Sequence, residues 1–165
     1  MTKNASKFYT HQPGDGWVHC ACGSRHWGLH GAAGLLLIRR DDDSGAVREV
    51  VLQHRASWSH FGDTWGIPGG ARQPGESASA AALRESAEEA LIPVQAVRVL
   101  GEHTVTHPDW SYVTVVGEEL PGFTVVPGVG DSESAAVSWV ALSDLGRLPL
   151  LPAFAAALPE LLELV

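Results

Sequence analysis

Long apolar runs are missing from this sequence. The longest, such as "AAGLLLI" and "AFAAAL", fall well short of the ~20 residues that a membrane-spanning helix needs, so no membrane partner is expected. The opening "MTKNASKFYT" lacks the apolar stretch of a secretory signal. Cysteine is scarce: Cys20 and Cys22, with one residue between them, make no disulfide framework. These absences together point to a cytoplasmic, reducing setting. Basic residues are outnumbered, 11 against 19 acidic, and the formal charge of −8 disfavours a nucleic-acid polymer as partner. A small phosphorylated ligand stays open, with metal ions as one source of the cations it would need. What the chain does have is the balance of a folded globular protein, 45% apolar and 18% charged, and at 165 residues it is long enough for one domain with a real core.

No repeat or low-complexity tract interrupts the chain. Residues 1–30 read as an irregular segment packed on or preceding a domain that spans 31–165. "AAGLLLIRR", Ala32 to Arg40, has the apolar continuity of a buried strand, and "REVVLQHR", Arg48 to Arg55, returns from the "DDDSGAV" turn to make a hairpin. A long loop, "ASWSHFGDTWGIPGG", leads to a helix over Ser77 to Leu91, with Ser77 as N-cap and Pro93 beyond its end. "QAVRVLGEHTVT" and "WSYVTVVGEEL" read as strands about an "HPD" turn, "GFTVV" as an extension of their sheet, and Ala135 to Leu142 as a further strand. "LPAFAAALPELLELV" reads as a terminal helix that Pro159 kinks or shortens. Mixed strands and helices without βαβ alternation predict an α+β domain with a mixed sheet between helices.

The helix carries three acids close together. At 100° per residue, Glu89 lies roughly 40° to one side of Glu85 and Glu88 roughly 60° to the other. All three share a face, and like charges at this spacing destabilise a helix unless water or a cation intervenes. Arg84 is the single i,i+4 cationic partner, for Glu88. Leu83, Ala80, Ala87 and Ala90 project to the opposite side and are expected to pack on the sheet. Ala78, Ala81 and Ala82, upstream on the acidic face, are small enough to let a loop or ligand approach. Just ahead, "WGIPGG" brings Gly69 and Gly70, where backbone can come close to a ligand, and Glu76 follows at the helix entrance.

"GGARQPGESASAAALRESAEEALI" resembles the Nudix box. That signature runs Gly, five residues, Glu, seven residues, Arg-Glu-apolar-any-Glu-Glu-any-Gly-apolar; Gly70, Glu76, Arg84, Glu85, Glu88, Glu89 and Ile92 occupy their positions in it. Ser86 stands at the usual apolar position, and Leu91 at the usual glycine, where a left-handed cap would form. The resemblance implies a Nudix-type α/β/α sandwich. It also implies Mg²⁺-dependent hydrolysis of a phosphoanhydride in a nucleoside diphosphate linked to another group: a nucleoside triphosphate, nucleotide sugar, ADP-ribose or dinucleotide. Mg²⁺ takes oxygen ligands and keeps several waters, which suits a cluster of glutamates, and Mn²⁺ could substitute. The rival reading is a catalytically inactive Nudix-fold module that senses a nucleotide. Homodimer assembly is compatible with either.

The roles that follow are expectations. Glu85, Glu88 and Glu89, with Gly70, hold the metal. Arg84 orients the carboxylates through salt bridges, supported by Glu76. Glu133, in "GDSESAAVSWV", is the candidate for a further acid outside the box, ahead of Glu118 and Glu119. Gly69, Gly70, Arg55 and Trp65 are placed at the substrate, Arg55 because a guanidinium fork matches phosphate and Trp65 as an aromatic that could stack on a base. Trp58, Phe61, Trp110 and Tyr112 are weaker stacking candidates. His19, Cys20, Cys22, His26 and His30 have zinc-ligand chemistry, but the usual cysteine pairing leaves two or more residues between. A packed segment with solvent-facing histidines is expected instead.

Overall fold

The computed structural model describes residues 10–165, so the first nine residues of the N-terminal segment lie outside the described part. The remainder of that segment holds one regular element. Trp17–His19 (β1) and Arg25–Trp27 (β2) pair as a small antiparallel hairpin. It is tied to the main domain by the Gly14 N–H donating to Gln73 Oε1 at 2.8 Å and the Ala21 N–H donating to Asp109 Oδ2 at 2.7 Å. Strands this short carry too little periodicity to register in a sequence window.

Ala32–Arg40 (β3) is the central strand of the seven-stranded sheet. It pairs antiparallel with Val47–Arg55 (β4) through Ile38 and Val50, and parallel with Trp110–Glu119 (β8) from Ala32↔Tyr112 to Ile38↔Glu118. Val97–His107 (β7) adds to β8 through the expected turn, and Ser134–Ala141 (β9) lines the outer edge of β4. Parallel pairing within an otherwise antiparallel sheet makes the sheet mixed, as expected. "GFTVV" forms no strand: its Val125 carbonyl receives the Trp139 indole N–H, and its Val125 N–H donates to Glu119.

Part of the long loop is sheet. Beyond Ile38 and Val50 the two central strands diverge, and Trp65–Gly66 (β5) on β4 and Gly69–Ala71 (β6) on β3 occupy the gap. Glycine permits this. A Cβ on Gly34 or Gly69 would collide with neighbouring backbone and lie 2.2 or 2.9 Å from the Tyr112 hydroxyl.

The helices cover opposite faces. Ala78–Ala90 (α1) packs with Ala33, Leu35, Leu37, Val51, Val113 and Val115; Pro152–Leu162 (α2) packs with Leu36, Ile38, Val50, Leu52 and Val116. Alternation along β3 thus feeds two cores from one strand, and each fully buried Leu or Ile contributes about 1.5–3 kcal/mol. Pro159 sits inside α2, which continues to Leu162.

Candidate active site

The Ser77 hydroxyl accepts from the Ala80 N–H at 3.1 Å and starts α1 as expected. Its rotation about its own axis differs from expectation. Ala90 faces the sheet as expected and Leu83 packs at the rim of the same core, but Ala78, Ala81, Ala82 and Ser86 make up the rest of the buried face, whereas Ala80 is exposed and Ala87 is only partly buried. Alanine is apolar on every side of this helix, so hydropathy pointed to Leu83; small size decided instead. The alanines let the helix backbone approach, and Ser86, fully buried, satisfies its hydroxyl by donating to the Ala82 carbonyl at 2.6 Å. Glu85 and Glu89 therefore lie on the sheet-facing side, not on a face opposite to it.

Two glycines of β6 receive them. The Gly69 N–H donates to Glu89 Oε2 at 3.1 Å, and a Cβ on Gly70 would lie 2.6 Å from Glu85 Cδ. Arg84 fixes the other flank. Its Nε and Nη2 grip both oxygens of Glu76 at 2.8 and 3.0 Å, Nη1 donates to Glu85 Oε1 at 2.7 Å, and Nη2 also reaches the Ala71 carbonyl at 3.1 Å. Glu88 is the outlying acid, 62% exposed, its nearest cation Arg84 Nη1 at 3.6 Å.

The end of α1 brings in a second segment. Leu91 adopts the left-handed conformation, φ 56°, that glycine usually supplies, so Leu91 itself forms the cap ahead of Pro93. The Gly128 and Gly130 N–H groups then donate to the carbonyls of Ala90 and Glu89 at 3.0 and 2.8 Å. At Gly130 a Cβ would stand 2.0 Å from the Glu88 carbonyl oxygen, so only glycine allows that approach. This contact delivers Asp131 and Glu133 to Glu89, and carboxylate oxygens of the three lie within 4.8 Å of one another. The far end of the loop is held by the Ala56 N–H donating to the Glu133 carbonyl at 2.8 Å. Glu133 thus reaches the cluster; Asp131, which sequence reasoning missed, comes with it. The spaced glycines of "PGVGDSE" were the available signal.

Electrostatics divide these acids. The Arg84 hydrogen bonds hold the Glu76 carboxyl below its ordinary range. Burial pushes Glu85 up, against the pull of Arg84. Glu89 is driven well above the usual carboxylate range by burial, then by Glu85 and Asp131; Glu133 is raised by burial and Asp131. Among the described residues Glu89, Asp131 and Glu133 form no ion pair with an Arg, Lys or His. Carboxylate oxygens crowded together with no such partner fit a hard divalent cation.

Of the other sequence candidates, Arg55 borders the cluster. Arg55 ends β4 with its Nε donating to the His60 carbonyl at 2.8 Å, and its charge acts on Glu133. Trp65 is not brought to the carboxylates: it stacks on His54 and packs with the α2 core. The neighbouring Val51 and Gln53 alternate to the α1 side, which puts His54 and Trp65 on the other layer. Glu118 pairs with Arg40 and Arg98, and Glu119 with Arg39, away from the cluster. Trp58 and Phe61 are exposed.

Comparison with known proteins identifies the family. The NUDIX domain family model matches residues 28–164. A nucleoside triphosphate pyrophosphatase/Nudix hydrolase fusion protein of Bifidobacterium longum is 52% identical over 92% of the chain, which spans a third (33%) of that protein's length. A Mycobacterium tuberculosis protein named "Putative 8-oxo-dGTP diphosphatase 3" is 46% identical, covering 87% of this chain and 67% of that one. The crystal structure of a Nudix hydrolase from M. smegmatis, RenU, superposes with a TM-score of 0.77 at 41% identity, covering 91% of this chain and 94% of that one. With a family match across most of its length and relatives of this identity and coverage, the chain belongs to the Nudix hydrolase family.

Proposed function

We propose that the chain hydrolyses a phosphoanhydride bond of a nucleoside diphosphate derivative with Mg²⁺, or Mn²⁺ in its place, held by Glu85, Glu88 and Glu89 beside the Gly70 backbone. The observation that carries this reading is the seating of Glu85 and Glu89 on the glycines of β6, with Asp131 and Glu133 gathered on Glu89 and no ion pair to these last three among the described residues. When bound, the metal supplies positive charge against the diphosphate and acidifies water. Arg84 keeps Glu85 in place, which spares reorganisation when substrate arrives. Glu133, whose affinity for protons is raised, is suited to take one from the attacking water. Arg55, with its fork free of carboxylates among the described residues, is suited to a phosphate.

A nucleoside triphosphate is the first choice of substrate, since the 46%-identical relative is named for 8-oxo-dGTP. Nucleotide sugars, ADP-ribose and dinucleoside polyphosphates form the comparison set. The test is a panel of these compounds with Mg²⁺, with products separated by chromatography. Release of a nucleoside monophosphate, with Glu89→Gln and Glu88→Gln at least ~100-fold slower, supports the reading. Turnover that persists in both variants, or that needs no divalent ion, refutes it.

A further inference from the structure

We propose that Cys20, Cys22 and His26 form a zinc site that pins the turn of the N-terminal hairpin to its second strand, beside the β7–β8 turn. This site is separate from the carboxylates and does not depend on the hydrolase reading. One ligand atom from each of the three residues lies within 4.8 Å of the other two, and Cys22 Sγ stands 3.3 Å from His26 Nε2. Zinc–sulfur bonds of about 2.3 Å and zinc–nitrogen bonds of about 2.0 Å, set tetrahedrally, put ligand atoms about 3.5–3.8 Å apart. The trio is within a small rotamer adjustment of that figure, although one residue separates the cysteines.

The backbone accounts for the convergence. Between β1 and β2 the Gly23 N–H donates to the Cys20 carbonyl and the Cys20 N–H to the Ser24 carbonyl, both at 3.0 Å. Gly23 takes φ 91°, so the turn is tight and both thiols fold back toward His26. Both cysteines are free thiols. The imidazole is already oriented: its ring lies parallel to Trp110 at 4.4 Å, with the His107 ring also 4.4 Å away. Asp109 holds the turn through the Ala21 N–H. Two thiols and an imidazole favour a soft-tolerant tetrahedral ion over the oxygen-seeking Mg²⁺. Water or His107 would complete the fourth position.

The test uses the full untagged chain, purified without chelator. Metal analysis is expected to return about one zinc per chain, lost in Cys20→Ser/Cys22→Ser and kept in Glu89→Gln. Replacing zinc by Co²⁺ in the wild type is expected to give a thiolate-to-metal charge-transfer band, which carboxylate ligands cannot produce. In buffer free of Mg²⁺, chelator should lower the melting temperature of the wild type and leave the double serine variant unmoved. A Co²⁺-loaded wild type without the band overturns the proposal, even where the serine variant fails to fold. Zinc content unchanged by the double substitution overturns it as well.

Discussion

Replacing Glu89 by Gln should strengthen the metal-free protein and weaken the metal-bound one. In the absence of a cation, Glu89 is a crowded carboxylate beside Glu85, Asp131 and Glu133. Glutamine keeps an oxygen to accept the Gly69 N–H at 3.1 Å and removes the charge. Losing an uncompensated, partly buried charge is worth about 1–3 kcal/mol, or roughly 2–4 °C per kcal/mol for a chain of this size. With Mg²⁺ at about 100 times its dissociation constant the wild type gains about 2.7 kcal/mol, and the variant little. The two melting curves should therefore exchange order between EDTA and Mg²⁺, read by tryptophan fluorescence. The sign with pH follows from the raised folded-state pKa. The penalty is absent below the unfolded value of about 4.3, grows as pH rises, and is complete above the folded value. The EDTA advantage of the variant should accordingly vanish at acid pH. A variant that melts below wild type in EDTA at pH 8, or that gains as much from Mg²⁺, refutes the reasoning.

Gly70→Ala should push Glu85 from its seat, since the new methyl would lie 2.6 Å from its Cδ; we expect an apparent Mg²⁺ affinity at least ~10-fold weaker by titration of activity, recovered in part at high Mg²⁺. Leu91→Gly relieves a left-handed leucine that is half exposed, and should raise stability by about 0.5–1 kcal/mol in a urea melt. Glu76 has its folded pKa depressed by Arg84, so its contribution is present above about pH 4.3 and is lost as pH falls through the folded value. Glu76→Gln should cost about 1–2 kcal/mol at pH 7, a gap that closes on acidification in the same melt.

The sequence disclosed the helix, its cap, the two central strands and most of the gathered acids, because each rests on local chemistry. It misled on the side of α1 that meets the sheet. Periodicity weighs apolarity, and Leu83 outweighs alanine there, but close helix approach over β6 selects small side chains, with Ser86 among them. Asp131 was hidden for a different reason. Its place depends on Gly128 and Gly130 capping a helix about forty residues earlier, a tertiary contact that leaves no periodic trace. β5 and β6 escaped notice because two or three residues rich in glycine show no alternation. Trp65 went to the wrong layer for the same reason: without β5, nothing fixed its parity against β4.

β3 also has consequences for how the chain is made. Ala32 finds its parallel partner only at Tyr112, 80 residues later. At about 5–20 residues per second, a ribosome leaves that edge of an almost wholly apolar strand without its mate for about 4–16 s. During that interval Leu35 to Ile38 are a sticky ribbon, and closure must bridge a long loop before it is rewarded. Fragments that stop before β8 should therefore aggregate where the full chain does not, because the centre is shared by both layers.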